Sequence, residues 1–409
     1  MLVASLTRAL FASTLLLLAT SPGKSDAAFD AWLRALAPEA TRLGVAAATF
    51  EAATRGLEPD LSLPDLVIPG LAAAPQRGQA EFIQAPAEYL AEKTLTRLAE
   101  QGRKLAAQHR DTLSRIEREF GVPGDIVLAI WGRETAFGGY RLPHNAIRVL
   151  ATQAYLGRRK DQFRQEFLLA LKMLEEGHVT LADMRSSWAG AMGLTQFLPT
   201  DFYNNAVDFD GDGQRNIWTS IPDALASAAK QLVDKGWQRG RRWAYEVRAP
   251  RDVDCTLGDP ERPRPIGEWL KLGFMPAHGR KLRADELAEQ ASLLLPAGIY
   301  GPAFLTPKNY FVIKEYNFSD LYVLFVGSLS DRIGNKPAFE TPWQKVVQLR
   351  TNEVEAMQQR MTELGLYRDK IDGKAGMKTR LALGAYQKAQ GLGVDCWPTS
   401  TVLGHMQGR

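Results

Sequence analysis

Cysteine is nearly absent. Cys255 and Cys396 are the only two in 409 residues, too few for a disulfide framework, and the sequence offers nothing that favours pairing them. Dense Lys/Arg clusters are missing as well, so the formal net charge of +4 is spread thinly and a nucleic-acid binder is not expected. No internal repeat and no low-complexity tract interrupts the chain. Beyond the amino-terminal run, no apolar stretch is long enough to cross a membrane.

That first run is distinctive. Arg8 precedes an apolar segment over 9–19, and Ser25-Asp26-Ala27-Ala28 offers a small-residue cleavage site, so residues 1–28 read as a secretory signal peptide. The run is short for an uncut anchor, and no cysteine follows it to carry a lipid. The expected mature chain is soluble and periplasmic. Losing Arg8, Lys24 and Asp26 brings its charge to about +3, with both signs well mixed.

What remains is a chain with 45% hydrophobic residues and nine tryptophans, enough for a large core and two or three domains. Helical patterns run over 29–54, 87–120, 125–136, 146–156, 162–176 and 223–235, with a Pro-bearing connection at 59–75. Between 244 and 324 the texture changes to Pro-rich turns, one helix near 284–290, and strand-like runs at Phe311-Val312-Ile313 and Leu321-Tyr322-Val323-Leu324. That stretch reads as a small mixed or β subdomain beside a helical core. Pro342 starts a further unit with helical patterns at 347–364, 378–390 and 399–406.

Three clusters carry chemistry. In the helix over 125–136, Val127, Ile130, Trp131 and Glu134 share one face, so a carboxylate extends an apolar stripe close to Gly138-Gly139, where the helix is expected to end. Desolvation and the helix C-terminus both favour a protonated Glu134, which suits a general acid; a carboxylate bent to solvent, or paired with Arg133 or Arg141, is the plainer reading. The second cluster is Ser187-Trp188-Ala189-Gly190-Ala191-Met192-Gly193 with Gln196-Phe197-Leu198-Pro199. Here Gly190 and Gly193 admit the close approach of a polymer or another backbone, Trp188 belongs to a core, and Ser187 and Gln196 can equally serve local backbone. In the third, Asp208, Asp210, Asp212, Gly213, Gln214 and Asn216 keep the spacing of a calcium loop up to its ninth position, but Thr219 stands where the twelfth calls for Glu. Three carboxylates at alternating positions repel one another unless a hard cation or solvent relieves them.

Trp131-Gly132-Arg133-Glu134-Thr135, the Ser187–Gly193 motif and Gln196-Phe197-Leu198-Pro199 together resemble the lytic murein transglycosylase B family in content and order, over about 29–330. The resemblance implies a lysozyme-like, mainly α catalytic domain with Glu134 as catalytic acid/base. It places Ser187 and Gln196 along the cleft, adds Tyr316 and Asn317 from Glu315-Tyr316-Asn317-Phe318-Ser319, and suggests Tyr322 for the same groove. It implies cleavage of the β-1,4 bond between N-acetylmuramic acid and N-acetylglucosamine in peptidoglycan without water, closing a 1,6-anhydro ring. Glycosidases usually need two carboxylates; none accompanies Glu134 in these motifs, and Asp201 reads as part of the first turn of a helix. In this family a longer calcium loop closes fifteen residues after its first aspartate, where Asp223 stands, so Asp208, Asp210, Asp212, Gln214 and Asp223 form the expected site of a structural Ca2+, with no organic cofactor.

Residues 344–409 resemble the peptidoglycan-binding type 1 domain, a three-helix module, through Leu364-Gly365-Leu366-Tyr367, Ile371-Asp372-Gly373-Lys374 and Tyr386-Gln387-Lys388-Ala389-Gln390-Gly391-Leu392. The expected organisation is therefore signal peptide 1–28, catalytic region 29–335, linker 336–343 and binding domain 344–409. Glycan strands are the expected partner. A muramidase using the same Glu134, and a non-catalytic wall-binding protein, are the competing readings.

Overall fold

The computed structural model describes residues 27–70 and 80–408; nearly all of the expected signal peptide lies outside them. Among the described residues no helix is long and apolar enough to cross a membrane. The architecture is mainly helical, with a two-stranded pairing of His144–Asn145 and Arg185–Ser186, one five-stranded sheet and a carboxy-terminal group of three helices.

Two helices form the centre. Gly124–Thr135 is buried over most of its length on every side, and all but Asp331 and Arg332 of Asp320–Ile333 are buried. The apolar stripe expected around Val127 therefore has no solvent-facing counterpart: Ile126, Leu128 and Ala129 are as buried as Val127 and Ile130. Two strand-like runs, Phe311-Val312-Ile313 and Leu321-Tyr322-Val323-Leu324, are helical, within Lys308–Asn317 and Asp320–Ile333. The second helix is packed on all sides and loses its 3.6-residue period, so it looks like a buried strand; the first keeps Lys308 and Glu315 exposed, but its apolar run of three residues is too short to show a period. Small residues let the packing close. A Cβ on Gly102, in helix Glu92–Gln108, would stand 2.6 Å from Ile333, and one on Gly327 would stand 2.3 Å from Trp243.

A second helical cluster gathers Phe29, Phe163, Phe167, Phe197 and Phe202 from Ala27–Arg42, Lys160–Glu175 and the residues at 197–205. Helix Ala146–Leu156 keeps its expected bounds, whereas the expected 87–120 helix divides into Pro86–Tyr89, Glu92–Gln108 and Arg110–Phe120, turning at His109. The sheet is wholly antiparallel, in the order Arg264–Pro265, Gln290–Leu294, Ala303–Thr306, Tyr245–Arg248, Met275–Pro276. Tyr245 and Leu293 both lie opposite Leu305, and the sheet packs over Ile266, Trp269 and Phe274. The helix expected near 284–290 stops at Leu287, and Gln290 already belongs to a strand.

The carboxy-terminal helices, Thr351–Glu363, Met377–Ala389 and Ser400–Met406, enclose a core of their own that includes Val354, Met357, Leu383 and Leu403. They do not hang free. Cys255 and Cys396 are joined as a disulfide, with Cα atoms 6.4 Å apart, so the pairing that the sequence did not favour is made by the fold. Sequence separation hid it: the two positions that the sheet region and the module bring face to face are 141 apart in the chain. Beside it, Ile299 N–H donates to the Asp395 carbonyl at 3.1 Å, and Gly298, at φ +59°, passes so close that a Cβ would stand 2.1 Å from the same oxygen. The connecting segment is pinned too, since the Glu246 carboxylate accepts from the backbone of Glu340 (3.0 Å) and Thr341 (2.9 Å).

Closing so long a loop constrains the unfolded chain, so Cys396→Ser is expected to cost about 2–5 kcal/mol. The measurement is urea unfolding without reductant: the transition of the carboxy-terminal helices should move to lower urea, and reduced wild-type protein should match the variant.

Candidate active site

Glu134 is half-buried on the last turn of Gly124–Thr135. The helix ends earlier than expected, at Thr135; Ala136 (φ 50°) and Phe137 (φ 57°) take left-handed backbone before Gly138, each at a cost of about 1–2 kcal/mol. Packing compensates. The Phe137 ring folds back over Gly132, where a Cβ would lie 2.6 Å from it, and meets Trp131 edge-on at 5.5 Å. The reversal also brings the Thr135 hydroxyl to the Leu194 carbonyl, to which it donates at 2.8 Å, tying the end of the Glu134 helix to the 187–199 segment.

Facing Glu134 is Tyr322, whose hydroxyl donates to Glu134 Oε1 at 2.5 Å. Burial lifts the Tyr322 phenol well above the usual tyrosine range, and negative charge on Glu134 adds to the effect, so the hydroxyl remains a donor. Tyr316 stacks on Tyr322 with ring centres 6.2 Å apart and planes at 10°, and donates its own hydroxyl to the Thr195 carbonyl at 2.8 Å. Its phenol is raised by burial and then by Glu134. Asn317 follows, with Oδ1 buried and lacking a protein partner; the Thr195 hydroxyl is in the same condition. Arg133 turns its guanidinium to the Tyr89 hydroxyl, at 2.9 and 2.6 Å, and lies over the Tyr89 ring. Burial opposes its charge, but Tyr89 and Glu134 outweigh burial and raise its pKa.

The 187–199 segment is a set of turns. Met192 and Phe197 exchange both backbone hydrogen bonds at 2.8 Å, enclosing a tight loop in which Gly193 has φ 74° and Gln196 φ 59°. Gln196 Nε2 donates to the Gly193 carbonyl at 3.0 Å, the local service that a glutamine can give. Ser187 Oγ likewise accepts from the backbone of Ala189 (3.3 Å) and Ala191 (3.2 Å) and shapes its own turn. The close approaches allowed by the glycines are made by protein: a Cβ on Gly190 would meet Leu150 at 2.2 Å, and one on Gly193 would meet the Ile217 carbonyl at 2.7 Å. Trp188 packs beside Leu63, Leu66, Val149 and Leu156, as core. Asp201 serves the start of Pro199–Asn205, accepting from Leu198 N–H at 3.3 Å, and burial raises its pKa.

The acidic loop closes as expected. Carboxylate oxygens of Asp208, Asp210, Asp212 and Asp223 lie within 4.8 Å of one another. Asp223 is fully buried at the start of Ile221–Asp234 and accepts from the backbone of Phe209 (2.7 Å) and Asn216 (2.8 Å), while Asp208 accepts from Gly211 (2.7 Å) and Gly213 (2.9 Å). Gln214 N–H donates to Asp212 at 2.8 Å, which leaves Gln214 on the rim of the cluster. Three carboxylates on the loop and one from the start of the next helix fit a hard, oxygen-loving cation such as Ca2+. The loop also bridges the core: Phe209 enters the central cluster and Ile217 the second one, and the Ile217 carbonyl accepts from Leu194 N–H at 2.9 Å.

Sequence reasoning missed Tyr89, Thr135 and Leu194. Tyr89 stands in a short Pro-initiated helix with no motif around it, and Leu194 acts through its backbone, which no side-chain pattern reports.

Comparison with known proteins places this geometry. Residues 350–406 match a putative peptidoglycan binding domain. The membrane-bound lytic murein transglycosylase B of Escherichia coli is 30% identical over 228 residues, which are 55% of this chain and 61% of that relative's length. A solved structure of SltB3 from Pseudomonas aeruginosa, in complex with NAG-anhNAM-pentapeptide, is 38% identical with TM-score 0.83, covering 94% of this chain and 100% of the other. The Escherichia coli lytic transglycosylase Slt35 in complex with calcium is 28% identical with TM-score 0.53, over 62% of this chain and 80% of that one. The Transglycosylase SLT domain model matches residues 28–331, well over half of the chain, and the protein therefore belongs to that family.

Proposed function

We propose that this chain is a lytic transglycosylase that cleaves the β-1,4 bond between N-acetylmuramic acid and N-acetylglucosamine in peptidoglycan, leaving 1,6-anhydromuramic ends. The observation that carries the reading is one half-buried carboxylate, Glu134, held on Oε1 by a buried phenol at 2.5 Å. Glu134 first protonates the glycosidic oxygen as the bond to the anomeric carbon breaks, while the substrate's acetamido group supports the cationic carbon. The carboxylate so formed takes the proton of the muramic 6-hydroxyl, whose oxygen closes the ring, and Glu134 is again protonated. Tyr322 donates throughout, steadying the group in its charged half-cycle.

In this reading Asn317 Oδ1 and the Thr195 hydroxyl, both buried without a protein partner, supply polar contacts for the sugar. Gln196, Ser187 and Tyr316 form the opposite wall. Asp208, Asp210, Asp212 and Asp223, with the Gln214 carbonyl, hold a structural Ca2+ that braces this wall through Ile217 and Leu194. Residues 1–28 direct secretion to the periplasm and are removed; 29–335 form the catalytic region, 336–343 the linker and 344–409 the wall-binding unit. The calcium assignment draws support from the Slt35 complex, and the product assignment from the anhydromuramyl ligand of SltB3.

Mass spectrometry of the muropeptides released from purified sacculi tests the reaction: 1,6-anhydromuramic products are expected, and reducing-end muramic acid would overturn it. Glu134→Gln should abolish release while sparing binding to sacculi. Tyr322→Phe removes one positioned donor and should lower kcat by roughly 10–100-fold, with unfolding unchanged to within about 2 kcal/mol. Calcium added to chelator-treated protein should raise the melting temperature, by the equivalent of about 2.7 kcal/mol at a hundredfold excess over Kd. Asp223→Ala should lose that response.

A further inference from the structure

The helix that carries Tyr322 begins on a charge supplied by the carboxy-terminal module. Asp320, its first residue, is 7% exposed, and three donors share its carboxylate. Tyr310 Oη (2.7 Å) and Lys314 Nζ (2.6 Å) meet Oδ1, both from the preceding helix, and Arg380 Nη2 meets Oδ2 at 2.6 Å from helix Met377–Ala389. Arg380 is itself only 8% exposed, and its other terminal nitrogen donates to the Ala375 carbonyl, so the guanidinium is clamped between its own module and Asp320. Burial acts to neutralise Asp320, but the charges of Lys314 and Arg380 prevail and hold the carboxyl well below the usual range. A buried carboxylate satisfied in this way is costly to disturb, because losing a cation leaves charge uncompensated.

We propose that Arg380 is a positioning residue for the chemistry of Glu134: by anchoring Asp320 it sets the first turn of helix Asp320–Ile333 and so the Tyr322 hydroxyl. The module is then part of the support of the active site as well as a wall-binding unit. Asp320 and Tyr322 lie two residues apart in one helical turn, and Ser319 caps that turn through the Tyr322 amide, so any shift of the helix start is passed directly to the phenol. The contact it would disturb is short, 2.5 Å, and hydrogen bonds of this kind lose strength steeply with displacement. The module is also held by the Cys255–Cys396 disulfide and by the bond from Ile299 to Asp395, so removing the Arg380 charge need not release it.

The proposal rests on the reaction given above and is tested on the full mature chain with a soluble tetrasaccharide of alternating N-acetylglucosamine and N-acetylmuramic acid. Arg380→Met should lower kcat by roughly tenfold, since a misplacement of about 1 Å can cost up to a hundredfold, while KM stays within about twofold. Arg380→Lys should recover most of the loss. In a Tyr322→Phe background, Arg380→Met should change kcat by less than about twofold, because the group it positions is already gone. Equal losses in both backgrounds, or an Arg380→Met enzyme with wild-type kcat, would overturn the proposal. Should Arg380→Met fail to fold at the assay temperature, Asp320→Asn is read in the same two backgrounds against the same outcomes. Product masses are recorded for every variant: reducing-end muramic acid from wild type would reject the proposed reaction, whereas additive losses with anhydro products reject only the role of Arg380.

Discussion

The hydrogen bond from Tyr322 to Glu134 joins residues 188 positions apart, and the surrounding architecture keeps those two side chains in register. Both sit on helices that the core encloses, so neither can shift without repacking several neighbours. Glu134 projects from the end of one and Tyr322 from the start of the other. A carboxylate at that depth needs a partner, and a phenol that burial keeps protonated provides one without adding charge.

Around this pair the chain accepts strained backbone to bring polar groups inward. Ala136, Phe137 and Gln196 all lie in the left-handed region without being glycine, at two turns that the Thr135-to-Leu194 hydrogen bond links. Such strain persists where packing over-determines it, as Phe137 over Gly132 illustrates, and it concentrates at sites of chemistry. The acidic loop serves the same end from farther away. Phe209 and Ile217 plug it into two separate hydrophobic clusters, so it couples the packing of the helical bodies to the turn that carries Gln196.

Much of this was legible in the residues. The main helices, the sheet region after 244, the aspartate spacing from Asp208 to Asp223 and the resemblance carried by Trp131-Gly132-Arg133-Glu134-Thr135 all stand close to where the structure has them. The misread segments have two causes. At Leu321-Tyr322-Val323-Leu324 burial on every side erased the period that separates helix from strand, and at Phe311-Val312-Ile313 the apolar run is too short to show one. For Ser187 and Gln196 the sequence leaves a cleft role and local backbone service both open, and the geometry shows each spending hydrogen bonds on its own turn.

The sequence by itself determined which residue types could do chemistry and, for Glu134 and the acidic loop though not for Tyr322, on what local element each would stand, because capping, period and motif spacing act over a few residues. It placed Glu134 at a helix end and three aspartates within one loop, and the family resemblance added Asp223. Tertiary structure alone decided which of these groups meet: Tyr322 with Glu134, Asp320 with Arg380, and Cys255 with Cys396. Those pairings span 188, 60 and 141 residues, and they depend on how enclosed helices and a docked module pack in three dimensions, which no local pattern records.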